Sequence, residues 1–221
     1  MQPDHSNSQT AIHHLARLSD CVFALAMAIT FMGFELPETV QSLSNLEVNQ
    51  FLIGQLKSLG IYAITFILVA FYWISHTQQF SYFKRTNETH LFIYTLYLMC
   101  LLVIPFSNDL VFRLSSNPFA KIWFNTNILL IGFFSFISWS YATHQHLLVN
   151  EDLDLQIIRS MQVKALIEPV CALMSIPVAL VSPDLSDLVW LLIPVVSLIV
   201  NKALKQTSES NMMPVSTQVV E

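Results

Sequence analysis

Charge is what this chain lacks most: Asp, Glu, Lys and Arg make up 11% of its 221 residues, against roughly a quarter in soluble domains. So few charged side chains cannot clothe a surface that faces water. With 54% hydrophobic residues and a mean hydropathy of +0.56, the chain reads as an integral membrane protein. Its formal charge of −5 excludes the basic stripe that nucleic-acid binding needs. Glycine is nearly as scarce, with four in total and no stretch like T-V-G-Y-G. That excludes an ion filter built from a re-entrant loop of backbone carbonyls. The three cysteines, Cys21, Cys100 and Cys171, lie far apart in apolar stretches, so they form neither a disulfide framework nor a metal-ligand spacing. No Ser-His-Asp order, nucleophile elbow or phosphate-cradling loop is present, so an enzyme is not expected. The polar, serine- and histidine-rich start is no basic signal-peptide region.

What the chain has in quantity is long apolar runs. A helix needs about 20 such residues to cross the hydrocarbon, and six stretches qualify, predicting an all-α integral membrane fold of six transmembrane helices. They run from Leu15 to Leu36, Phe51 to His76, Thr89 to Asp109, Ile122 to Gln145, about Lys164 to Val181 and about Leu185 to Leu204. The last two carry Pro169, Pro177, Pro183 and Pro194 and read as a tight helical hairpin, with four spans plus a re-entrant hairpin as the alternative. One membrane domain over 15–205 therefore follows a short segment, 1–14, and precedes a polar, disordered tail, 206–221. The connection "VNEDLDLQIIRSMQ" is expected to hold an amphipathic helix lying along the membrane surface, with Leu153, Ile157 and Met161 on one face.

Orientation follows from Lys and Arg near the span ends. With the N-terminus in the cytoplasm, Arg17, Lys84, Arg85, Arg159, Lys164, Lys202 and Lys205 lie inside, and only Arg113 and Lys121 fall in an outer loop, with Lys57 near the outer end of the second span. Both termini are therefore expected in the cytoplasm of a multi-pass cell-membrane protein.

Within "HHLARLSDCVFALAMAITFMGFELP", 100° per residue puts Leu25, Ala28, Ile29, Met32 and Leu36 on one face and Asp20, Phe23, Met27 and Phe34 roughly opposite. An acid at a membrane helix faces protein or water rather than lipid. Asp20 is thus expected to point into its own subunit or a neighbour, and to meet free amides of a first helical turn, with Ser19 as a cap. Read alone, the stretch is a capped apolar span. Its S-D pair, however, resembles the R-x-x-x-F-S-D signature of the transmembrane-protein-175 potassium-channel family, and "CVFALAMAIT" resembles the apolar run that follows. "YAITFILVAFYWISHTQQF" is similar to that family's second span, with Trp73 and His76 in its W-x-x-H positions, and "LYLMCLLVIPFSNDL" to its third. The likeness covers about the first half of the chain. The family's arginine aligns with His14 and its phenylalanine with Leu18; either His14 stands in for that arginine, with a weaker or pH-dependent ion pair to Asp20, or Arg17 close by substitutes for it.

The resemblance implies a homotetramer in the lipid bilayer with first helices lining a central pore. It implies potassium as the permeant ion, with no cofactor, and selection by aliphatic side chains. The first ring falls at Leu25, and later ones near Ala28 or Ile29 and near Met32. A four-fold apolar ring gates by excluding water. It also implies that Trp73 and His76 hydrogen-bond to Ser19 or Asp20; read alone, Trp73 is an anchor of the aromatic belt and His76 a solvated headgroup-level residue.

Two features pull elsewhere. Glu168, just before Pro169 in the fifth span, suits a proton or cation relay, hence a coupled secondary transporter, or else pairs at the interface with Lys164 one turn earlier. Glu35 reads as a carboxylate at the pore mouth or a snorkelling residue. The "HH" at 13–14 and "HQH" at 144–146 read as solvated histidines rather than metal ligands.

Overall fold

The computed structural model describes residues 5–33 and 44–190, with 192, 195, 196, 198–200 and 202 beyond them. Among the described residues seven α-helices follow in chain order: α1 (His5–Ile29), α2 (Asn45–Phe80), α3 (Glu88–Leu102), α4 (Ile104–Arg113), α5 (Pro118–Thr143), α6 (Leu155–Val181) and α7 (Pro183–Trp190). Among the described residues, five helical stretches are long and apolar enough to cross a membrane, α3 and α4 counting together as one over Glu88–Arg113. The predicted sixth stretch lies largely outside the described residues; its described part is α7 and scattered positions after it. Glu35 and Leu36 also lie outside them.

Local chemistry sets the helix boundaries. Ser44 and Glu47 form a reciprocal capping box at the start of α2, the Ser44 amide donating to the Glu47 carboxylate at 2.8 Å. Asn87 caps α3 by accepting from the His90 amide at 2.9 Å. Asn117 caps α5 just ahead of Pro118, which takes the first helical position where its missing N–H costs nothing. The third span breaks at Val103, two residues before Pro105. A proline there removes an intrahelical donor and crowds the preceding turn, so the helix restarts as α4.

Two predicted boundaries are corrected. The first helix starts at His5 rather than Leu15, and the surface helix expected over 149–162 does not form as a separate element. Asp154 caps a helix that starts at Leu155 and continues unbroken to Val181. Trp139 on α5 donates its indole N–H to the Ile158 carbonyl at 3.1 Å, while Leu153 and Met161 pack on the cluster around Trp139. Those apolar side chains therefore pack inside the bundle instead of lying on lipid.

The turn after α2 and the turn after α5 meet at one end of the bundle. The Lys84 amide donates to the Leu148 carbonyl at 2.9 Å and the Arg85 guanidinium to the Leu147 carbonyl at 2.7 Å. This turn end encloses a cluster of Ile12, Phe83, Trp139, Ala142, Leu148 and Val149. The larger core joins α1, α2, α3, α5 and α6 through residues such as Phe23, Val69, Leu101, Ile128 and Ala172. Pro169 inside α6 is accommodated by a matching gap: Gly132 of α5 faces it, and a Cβ at 132 would fall 2.6 Å from that ring.

Candidate functional site

Two faces of α1 differ sharply. Ile12, Leu15, Ser19, Phe23 and Ala26 are buried against the bundle. Their spacing of three and four residues keeps them on one helical stripe. On the other side Leu18 and Leu25 are each 51% exposed and Ile29 is 37% exposed, with Cys21, Ala24 and Ala28 exposed between them. Leu18, Cys21, Leu25 and Ala28 also alternate in steps of three and four, the seam pattern of packed helices. The helix ends in a tighter 3-10 turn, Thr30–Gly33, which contains Met32; the Met32 side chain lies outside the described structure.

The buried stripe rests on a seat of aromatic and polar groups. Phe23, 1% exposed, packs against the His76 ring at 5.2 Å and the Tyr97 ring at 6.5 Å. Ser19 is fully buried, and its hydroxyl donates to the Leu15 carbonyl one turn back at 2.8 Å. The expectation that Ser19 caps the helix is therefore corrected: α1 begins at His5, so Ser19 and Asp20 sit several turns inside it and meet no free first-turn amides. Asp20 lies at the rim, where it accepts the Trp73 indole N–H at 3.0 Å. His76 has turned inward. It is 4% exposed, shares a hydrogen bond between its Nδ1 and the Tyr94 hydroxyl, and packs on Phe80 at 4.2 Å. It is thus neither solvated nor bonded to Ser19 or Asp20, as the sequence had suggested. Among the described residues, neither His14 nor Arg17, both exposed, pairs with Asp20.

Sequence reasoning missed the tyrosines that complete this seat. Tyr94 and Tyr97 sit three apart on α3 with ring centroids 5.0 Å apart, and both are buried. Their i, i+3 spacing in "IYTLYL" was the available signal. Beyond them lies Glu168. Its carboxyl lies toward Tyr72 and Tyr97, while Lys164 is exposed. The interfacial Glu168–Lys164 pairing is corrected accordingly: Glu168 is half-buried, and no ion pair joins it to Lys164 among the described residues.

Where α1 ends, at the opposite end from the turns, Ile29 and Thr30 border a cavity of about 390 Å³ shared with Tyr62, Thr65, Phe106 and Asp109. Asp109 accepts from the Arg113 guanidinium at 2.7 Å. Thr65 accepts from the buried Asn108 amide beside it, so polar groups of α2 and α4 hold this end together.

Comparison with known proteins fits this geometry. A family described as "Endosomal/lysosomal potassium channel TMEM175" matches residues 14–105, the part carrying α1, α2 and α3. The zebrafish (Danio rerio) endosomal/lysosomal proton channel TMEM175 is 19% identical over 160 residues, 68% of this chain. The chain spans only 28% of that relative's length. Among solved structures, a lysosomal potassium-selective channel TMEM175 homolog from Chamaesiphon minutus superposes with a TM-score of 0.66 at 18% identity, over 89% of this chain and 99% of the other. A variant of the potassium channel MtTMEM175, solved with a nanobody–MBP fusion, gives 0.65 at 16% identity over 87% and 93%. The chain thus shares its all-α membrane fold with these channels.

Proposed function

We propose that the chain is one subunit of a potassium-selective cation channel, and that four copies bring the exposed stripe of α1 together around a central pore. The observation that carries this reading is the makeup of that stripe. Lipid tails are as apolar as leucine, so hydrophobicity alone gives no reason for helices to associate in a bilayer; close approach through small residues does. Over 64–74 the exposed face of α2 is built of bulky side chains such as Ile64, Phe66, Ile67, Phe71 and Ile74, as a lipid-facing surface would be. The exposed face of α1 intersperses Cys21, Ala24 and Ala28 with its leucines, as a helix–helix contact would.

In this reading Leu25, then Ala28 or Ile29, then Met32 narrow the pore. Rings of this kind hold no water when tight and pass partly dehydrated ions when they widen. Asp20, held by Trp73 at the rim of the seat, fixes the rotation of α1 and therefore which side chains reach the axis. His14 and Arg17 sit on the exposed side of α1, and Arg17 adds positive charge within one turn of Asp20. Potassium is the permeant ion and no cofactor is needed. The protein lies in the cell membrane with both termini on the cytoplasmic side.

Purified protein in liposomes should release potassium down its gradient faster than sodium. Leu25→Asn should weaken that preference, because an amide at the narrowest ring lets water accompany the ion. Absence of any flux, or unchanged ion selection in both Leu25→Asn and Met32→Asn, refutes the pore assignment.

A further inference from the structure

Asn125, near the start of α5, is 1% exposed, yet only half of its amide is satisfied. Its Nδ2 donates to the Ser175 hydroxyl at 3.0 Å. Ser175 spends its own proton on the Ser186 carbonyl at 3.1 Å, so toward Asn125 it acts as an acceptor. That chain of donors fixes the amide, with Nδ2 toward Ser175 and Oδ1 turned away from it. Oδ1 is buried and has no hydrogen-bond partner among the described residues, and a buried acceptor left unmet is costly. Asn125 lines a cavity of about 270 Å³ between α4, α5 and α7. The cavity has a polar and an apolar side. Asn108 and Lys121, each 5% exposed, stand on the first with Asn125. Phe124 and Trp190 form the second, their rings meeting edge to face at 5.6 Å. Ser115, exposed in the turn between α4 and α5, borders the cavity at its mouth.

The lining selects its guest by chemistry. A cation would suit Asn125 Oδ1 but would stand beside the Lys121 ammonium. A carboxylate or phosphate would suit Lys121 but would set a second acceptor against Oδ1. A neutral hydroxyl suits both. It donates its one proton to Asn125, and its oxygen accepts from Lys121, whose three N–H donors serve a guest beside any other partner. The volume is far above the share of a single water, about 30 Å³, so a guest of several carbons fits. Hydrocarbon laid on Phe124 and Trp190 removes apolar surface from water, which a guest of water alone does not do. We propose that this cavity binds a small neutral alcohol, its hydroxyl held by Asn125 and its hydrocarbon part resting on Phe124 and Trp190. That hydroxyl belongs either to a free alcohol or to a neutral membrane lipid such as a diacylglycerol. The site does not depend on the channel reading, because none of its residues belongs to the exposed face of α1.

The test uses the full-length protein in phosphatidylcholine vesicles and a hexanol derivative that carries a photoreactive diazirine. Mass spectrometry of the labelled protein should find saturable labelling on the segments holding Ser115, Phe124 or Trp190, and excess unlabelled hexanol should remove it. The methyl ether of the same probe still accepts from Lys121 but has no proton for Asn125, so it should bind about tenfold more weakly. Asn125→Leu should weaken binding of the alcohol by a similar factor. Because that variant also loses the bond to Ser175, Ser115→Trp serves beside it: the change lies in an exposed turn, closes the mouth and should abolish the labelling. Diacylglycerol in the vesicles that competes better than hexanol marks a lipid hydroxyl as the guest, and the reverse order marks a free alcohol; both support the site. Labelling that is absent or never saturates, that is equal for the alcohol and its ether, or that survives Ser115→Trp overturns the proposal and leaves the cavity to water.

Discussion

Replacing Gly132 by alanine should destabilise the bundle although alanine is the better helix former. The substituted methyl would sit 2.6 Å from the Cδ of Pro169, 2.7 Å from its Cγ and 2.9 Å from its Cβ, each roughly an ångström inside ordinary carbon–carbon contact. A flexible side chain would swing away. A proline ring cannot, because it is closed onto its own backbone, so α5 and α6 must move apart. Overpacking of this kind costs about 1–3 kcal/mol, and three simultaneous contacts with a rigid ring place Gly132 at or beyond the top of that range. Helix propensity returns up to about 1 kcal/mol, leaving a net loss of about 2 kcal/mol. For a chain of this size that lowers the melting temperature by about 4–8 °C, read in detergent by the loss of near-ultraviolet ellipticity. The double variant Gly132→Ala/Pro169→Ala should recover most of the loss, since the ring is the obstacle; a coupling near zero in that cycle, or a Gly132→Ala protein as stable as wild type, refutes the argument.

Other consequences follow from the two faces of α1. Trp73→Phe removes the indole donor to Asp20 while keeping an aromatic ring; because Asp20 is exposed, the loss should be no more than about 1 kcal/mol of stability. If Asp20 fixes the rotation of α1, Trp73→Phe should nonetheless change ion selection in liposomes, and an unchanged potassium-to-sodium preference would show that the bond is incidental. Cys21 is exposed while Cys100 and Cys171 are buried. A charged thiol reagent should therefore label Cys21 selectively and block flux, the Cys21→Ala protein should be indifferent to it, and block that persists in Cys21→Ala would place the reactive thiol elsewhere.

Much of the fold was legible because apolar run length is a strong signal in a membrane chain. Capping residues such as Ser44, Asn87 and Asp154 sharpened the helix starts only once the helices were seen, since each also suits an ordinary turn. The start of α1 was misplaced for the same reason. Ser19 and Asp20 look like a cap, but a serine inside a helix satisfies itself by bonding the carbonyl one turn back, and the sequence does not tell the two apart. The surface helix failed on a different point. Leu153, Ile157 and Met161 do share a face, yet periodicity does not say whether lipid or Trp139 covers it.

The part of the candidate site that sequence could not supply is its depth. Trp73 and His76 are three residues apart and look like one unit, but they serve opposite sides of the seat. Trp73 reaches outward to Asp20 at the rim, and His76 turns inward to Tyr94. That division has a physical cause. At three residues the two side chains are about 60° apart around α2, enough for Phe23 to stand against one and leave the other at the edge. The helix is therefore held at two radii, by a polar bond at its rim and an aromatic stack at its base. Removing either contact leaves the other, and the buried stripe of Ile12, Leu15 and Ala26, in place, so α1 should stay in the bundle while its orientation changes. A helix held in this way can present a different side chain to its neighbours after a small change in the seat, which is what a pore lined by single side chains requires of its support.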